Sequence, residues 1–314
     1  MDWKKKYKNW EEISSSGYFS VHVCYENQTN RKVIVKSINK LVRDEHLKCF
    51  EKKFSVLKKL NHPNLAKCLG TYKDFECSYA LIEYKGTHSL EDVLSEKPLN
   101  ELTAVRIFYQ IISAMSVLHE NGIVHEGIRP ENILLDDENN VKLGDFEIER
   151  IPEIDAAMGE EEGNDLYKAP EESQMLKNDV YSAGVVAYQM FVGGFPQSAK
   201  HKKGKKRKIK FPPELDPFLA SLIGSMLSTV ARERPLAKDI LSRLKDEYAD
   251  FEEEINWKLE KGTLTISGLK EIPNFLKRNA PWFVDKDRIK KVVLKRGVKR
   301  IGSFAFSQLS NLTE

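Results

Sequence analysis

The sequence predicts an α+β fold of two unequal lobes followed by a small β-rich extension, on three observations. Strand-forming runs separated by turn residues crowd into residues 9–86, with one helical stretch among them. Helical periodicity dominates residues 87–246. After an acidic run beginning at Asp246, the texture returns to short apolar runs punctuated by glycine and proline. A chain of 314 residues also exceeds what one hydrophobic core usually organises, so about two domains are expected.

The elements follow in order. Residues 21–25 and 32–36 read as strands, and the turn-rich Glu26-Asn27-Gln28-Thr29-Asn30 between them makes a hairpin. Leu47, Phe50, Phe54, Leu57 and Leu60 recur at helical spacing over residues 41–60, and His62-Pro63-Asn64-Leu65 ends that helix and opens another strand. Residues 79–83 read as a strand leading to a hinge. Val105, Phe108, Ile112, Met115 and Leu118 form one helical stripe closed by Gly122. The most apolar run, residues 185–195, fits a buried core helix and is too short to cross a membrane.

Composition excludes little. The chain has 50 basic and 47 acidic residues, a net charge of +3, too small to imply a nucleic-acid or membrane partner. Cys24, Cys49, Cys68 and Cys77 lack metal-ligand spacing and read as buried free thiols of a reducing compartment. Residues 1–8 read as a basic tail with no apolar segment behind it, so no secretory signal is expected and the location expected is cytoplasmic.

The chemistry concentrates in motifs. His125-Glu126-Gly127-Ile128-Arg129-Pro130-Glu131-Asn132 and Asp145-Phe146-Glu147 are preceded by Val33-Ile34-Val35-Lys36. They are followed by Ala169-Pro170-Glu171, by Asp179-Val180-Tyr181-Ser182-Ala183-Gly184 and by Arg234-Pro235. This ordered set resembles the eukaryotic protein kinase family over residues 9–246. The resemblance implies a bilobal protein-kinase-like fold, with an N-lobe at 9–86 and a C-lobe at 87–246. It also implies an ATP and Mg2+ site built from Val21, Ile34, Lys36, Glu83, Asn132, Leu134 and Asp145, with Asn132 and Asp145 as the metal ligands.

The departures bear on the reaction. The family's catalytic base stands as Gly127, its preceding arginine as Glu126, and the glycine of the metal loop as Glu147. The phosphate-covering loop has Ser14, Ser16 and Phe19 where glycines let the backbone approach a phosphate. Counting back from His62-Pro63 puts Lys53 in place of the helix glutamate that would anchor Lys36, so two ammonium groups are expected to face each other, or Lys53 to reach solvent. Ile34 replaces the small residue over adenine. Weak or lost nucleotide binding is therefore expected.

Residues 148–168 contain no serine or threonine, only Tyr167, and Glu126 replaces the arginine that would receive a loop phosphate. His125, Phe146 and Leu57, by contrast, can still stack, and Asp179, Glu171 and Arg234 can still make buried polar ties. The expected function is a pseudokinase adaptor or scaffold. The alternatives are a divergent serine/threonine protein kinase and an ATP-responsive switch without turnover.

Two segments remain. The basic run 200–210 reads as a solvated loop, with polyanion contact or nuclear import as its alternatives. Beyond an acidic connector at 247–256, residues 257–314 resemble the cap and first repeat of a BspA-type leucine-rich repeat region, most specifically at Ile301-Gly302-Ser303-Phe304-Ala305-Phe306. Such coils bury their apolar face only against neighbours, which implies a piece of a longer repeat array or support from the second lobe, and protein partners.

Overall fold

The computed structural model describes residues 3–15, 18–84, 88–96, 99, 101–144, 166–171, 175–196, 209–248, 256–267, 271–272, 280–295 and 300–313. Asp145, Phe146 and Glu147, Ser16, residues 148–165, 200–208 and most of the acidic connector lie outside them.

The amino-terminal lobe is a five-stranded antiparallel sheet in the order β1-β2-β3-β5-β4. Its strands are β1 (Tyr7–Ser15), β2 (Phe19–Glu26), β3 (Lys32–Asn39), β4 (Cys68–Lys73) and β5 (Cys77–Glu83). The expected hairpin is β2–β3, with Val21 opposite Lys36 and Tyr25 opposite Lys32. Pleating sends Ile34, Lys36 and Ile38 to one face of β3 and Val33 and Val35 to the other, and both faces are covered. On the inner face Ile38, Ala80 and Ile82 share a core with Phe50, Phe54 and Leu57 of α1 (Asp44–Leu57). Asp44 and Glu45 occupy the first turn of α1, where they complement the helix dipole.

The outer face corrects the reading of residues 1–8 as a tail. Trp3–Lys6 form a short 3-10 helix. Trp3 is buried over Cys24, Val33, Val35, Tyr79 and Leu81 and stacks on Tyr72 at 4.6 Å between centroids. Lys4 is held by Asp74 (Nζ–Oδ2 3.0 Å) and by the Tyr79 hydroxyl at 2.9 Å. One tryptophan among lysines has no periodicity to betray it. The cysteines divide too: Cys24 and Cys68 are buried, which pushes both thiols up to about 11, whereas Cys49 is exposed and Cys77 half-buried.

The second lobe contains β6 (His88–Ser89), α2 (Leu90–Glu96), α3 (Glu101–Glu120), β7 (Ile133–Leu135), β8 (Val141–Leu143), α4 (Leu176–Val192), α5 (Pro217–Met226) and α6 (Ala237–Glu247). Gly122, at φ +69°, lets the chain leave α3 in the left-handed region, as its position after the apolar stripe predicts. α4 is the buried central helix. At its Gly184, an added Cβ would stand 3.0 Å from Cβ of Met226, so the missing side chain is what lets α4 and α5 approach. Asp216 caps α5 by accepting from the amides of Phe218 (2.7 Å) and Leu219 (3.2 Å), with Pro217 opening the helix. No helix among the described residues is long and apolar enough to cross a membrane.

The lobes are joined behind α1. The Leu143 amide donates to the Asn64 carbonyl at 2.8 Å and the Ala66 amide to the Leu143 carbonyl at 2.9 Å. Gln110 Oε1 on α3 accepts from Asn64 Nδ2 at 2.6 Å and from the Val141 amide at 2.7 Å. The connection between α1 and β4 is thereby fastened to the second lobe.

Residues beyond 255 build a separate core. β9 (Asn256–Glu260) and β10 (Thr263–Ser267) form a hairpin whose two turn residues, Lys261 (φ +48°) and Gly262 (φ +80°), are both left-handed, matching the twist of a tight hairpin. β10 runs parallel to β12 (Lys291–Leu294), and β11 (Glu271–Ile272) parallel to β13 (Arg300–Ile301). Leu264 lies beside Val292 and Ile272 beside Ile301, so the chain returns to its own flank after one coil. Trp282 fills the coil with Leu264, Ile266 and Ile289, and its Nε1 donates to the Ala305 carbonyl at 2.9 Å.

Candidate functional site

The site begins at a buried carboxylate. Asp179, near the start of α4, accepts from the amides of His125 (2.7 Å) and Glu126 (2.9 Å) and lies 2.9 Å from His119 Nε2. Burial by itself would raise its pKa. The hydrogen bond and charge of His119, with the bonds to the loop, outweigh that and leave it below the ordinary aspartate value. The two amide bonds hold Glu126 at φ +73°, a conformation that a residue with a side chain adopts only when its surroundings impose it.

His125 is completely buried and donates through Nε2 to the Gly144 carbonyl (2.9 Å), while its Nδ1 accepts from the Gly127 amide at 3.2 Å. Bonds at both ring nitrogens fix the orientation of the imidazole between the loop and Gly144. Asn132 Nδ2 donates to the Gly127 carbonyl at 2.8 Å, leaving its oxygen as the end that could ligate a cation. The loop is thus built and hydrogen-bonded, and at 127 it carries no carboxylate.

Opposite in register, Lys36 on β3 is buried between Val21 on β2 and Ala80 on β5, with Ile34 on the same face. Leu134, half-buried on β7, pairs with Lys142. Val21, Ile34 and Lys36 therefore share the inner face of the sheet, while Asn132 and Leu134 come from the second lobe. Phe19 packs on the inner-face cluster and Ser14 lies on β1. Glu83, the last residue of β5, turns its carboxylate away from the inner face. It pairs with Val33, which places its side chain on the outer face. There Oε1 accepts from the Lys67 amide at 3.0 Å and stands 3.9 Å from Lys142 Nζ, and its own amide donates to the Lys67 carbonyl.

The expected clash of Lys53 with Lys36, or its escape to solvent, is corrected. Lys53 Nζ lies 3.1 Å from Glu126 Oε2 and donates to the His125 carbonyl at 3.4 Å, with 10% and 19% of the two side chains exposed. Two residues along a helix lie on opposite faces, and Glu51 accordingly turns to the sheet. It accepts from Ser78 Oγ at 2.8 Å and pairs with Lys73 at 2.7 Å. Both positions carry a charge opposite to the one that the kinase pattern expects, a hint in the sequence that does not by itself pair them.

Beyond the loop, Tyr167 is half-buried and its hydroxyl donates to Gln189 at 2.8 Å; burial raises its pKa. Glu171 receives both ends of the Arg234 guanidinium, at 2.5 and 2.8 Å.

The comparisons agree with this architecture. The family model described as protein kinase domain matches residues 7–244. Sperm motility kinase Z of Mus musculus is 29% identical over 268 residues, 77% of this chain and 50% of that protein. The carbon catabolite-derepressing protein kinase of Saccharomyces cerevisiae is 30% identical over 233 residues, 70% of this chain and 37% of that protein. The SNF1-like protein kinase ssp2 of Schizosaccharomyces pombe is 29% identical over 243 residues, 73% and 42% respectively. The chain spans half or less of the length of these relatives.

Proposed function

Because the chain belongs to the protein kinase domain family, we propose that it is a pseudokinase, a kinase scaffold that binds proteins and does not transfer phosphate. Gly127 carries the reading. Phosphoryl transfer to a hydroxyl needs a carboxylate to accept the proton at that point of the loop, and its loss costs about a hundred- to ten-thousand-fold. The neighbouring acid does not stand in, because the Glu126 carboxylate is engaged by Lys53. Glycines that would cradle phosphates are missing, so ATP with Mg2+ is bound weakly or not at all. Protein partners would be held by the kinase-like surface and by the coil at 257–314, the opening of a leucine-rich repeat region of BspA type. The basic run 200–210 supplies a contact for polyanions, and the location proposed is the cytoplasm, with entry to the nucleus through that run.

A second reading, a divergent serine/threonine kinase, draws support from Lys36 and Asn132 in their family positions and from relatives named as protein kinases. Radiolabelled ATP with Mg2+ or Mn2+ and a generic protein acceptor separates the two. No transfer is expected from the purified chain; transfer that vanishes in an Asp145→Ala variant would establish the second reading. Gly127→Asp alone is expected to leave transfer undetectable, since the phosphate-covering loop stays defective, and turnover from that single change would overturn this assignment. In thermal shift, ATP and Mg2+ at millimolar concentration are expected to move the midpoint by no more than about 1 °C, whereas a ligand at a hundred times its Kd adds about 2.7 kcal/mol and shifts the midpoint of a domain this size by several degrees.

A further inference from the structure

We infer that Lys53 and Glu126 form a charge-exchanged latch that fixes α1 against the second lobe without a nucleotide or a phosphorylated loop. Both side chains are largely withdrawn from water, 10% and 19% exposed, where an opposite charge close by stabilises each. Together they cancel at 3.1 Å, and Lys53 adds a bond to the His125 carbonyl.

The latch has a rigid footing. Glu126 is held through its own amide by Asp179 Oδ1, and Asp179 belongs to the buried central helix α4. A continuous polar path therefore runs from α1 through Lys53, Glu126 and Asp179 into α4. On its other face α1 is clamped to the sheet by Glu51, through Lys73 on β4 and Ser78 on β5. Swinging α1 away from the second lobe breaks the first attachment, and rotating it on the sheet breaks the second. The fold thus carries one built-in arrangement of α1, suited to a surface that partners recognise in constant form. The inference does not rest on the absence of phosphotransfer, and its test uses no activity.

Hydrogen–deuterium exchange of residues 44–57 in the full chain, without nucleotide, reads the latch directly. Lys53→Glu and Glu126→Lys, which each oppose two like charges, are each expected to speed exchange across α1 by about tenfold or more and to lower the unfolding midpoint. The double exchange Lys53→Glu with Glu126→Lys is expected to restore most of the protection, because it rebuilds the pair in the opposite sense. Should a reversed variant fail to fold, Lys53→Gln and Glu126→Gln remove the attraction without adding repulsion, and both are expected to loosen α1 more than the five-stranded sheet. Exchange across α1 that is unchanged in all the single variants, or additive losses in the double exchange, would overturn the latch.

Discussion

Arg234→Ala is expected to lower stability by about 3–5 kcal/mol, the usual cost of removing one partner of a buried ion pair. The guanidinium is fully buried. It gives two bonds to Glu171, one from Nε to the Ser228 carbonyl (2.8 Å) and one to the Lys177 carbonyl (2.8 Å), and it lies over the Tyr181 ring at 4.9 Å. Truncation strands a carboxylate and two carbonyls at once and leaves a void against α4. For a domain of this size the midpoint should fall by about 10 °C. Arg234→Lys should recover little, because an ammonium cannot reproduce the two-pronged contact. Urea unfolding of the three proteins decides the matter; a loss below about 1 kcal/mol for the alanine variant would mean that the tie between the 171 segment and the segment after α5 is dispensable.

The second large effect is expected at Asp179. Asp179→Asn keeps the shape but turns one acceptor into a donor, facing either an amide of the loop or His119. An unsatisfied buried donor costs about 1–3 kcal/mol, and more when a charge is lost with it. The pH dependence carries the signature. The folded carboxyl titrates below the ordinary aspartate value, so the unfolded chain binds the proton more readily as the pH falls. The stability that Asp179 contributes is therefore complete above the ordinary aspartate range and is lost as the pH drops through and below it. Between about pH 6 and pH 3 the stability gap between the parent and Asp179→Asn should shrink. Carboxylates common to both proteins cancel in that difference. A gap that is constant or widens toward acid would show that the loop does not depend on an ionised Asp179.

Most of the architecture was legible because it is written locally. The hairpin at 21–36, the stripe that closes at Gly122 and the apolar face of α1 follow from periods of two and 3.6 read within short windows. The ties at Glu171, Asp179 and Arg234 could be named in advance because the resemblance to the protein kinase family implies them at those motif positions. The candidate site was legible as a set of positions, less so as a set of orientations. The family resemblance names Glu83 as a position, and only its register opposite Val33 shows that the carboxylate lies on the outer side of the sheet. Cys49 was expected to be buried and is exposed, since a helix pattern that centres on Phe50 and Phe54 leaves its neighbour facing water.

What the sequence by itself determined is the element order, the family, and the absence of a carboxylate at Gly127, since composition at a motif position does not depend on how the chain packs. Only the tertiary structure decided that Lys53 meets Glu126 across 73 positions and that Trp3 closes the outer face of the sheet against Tyr72. Long side chains choose among partners that distant backbone brings within reach, and the free energy of each choice is set by burial and geometry that no short window contains.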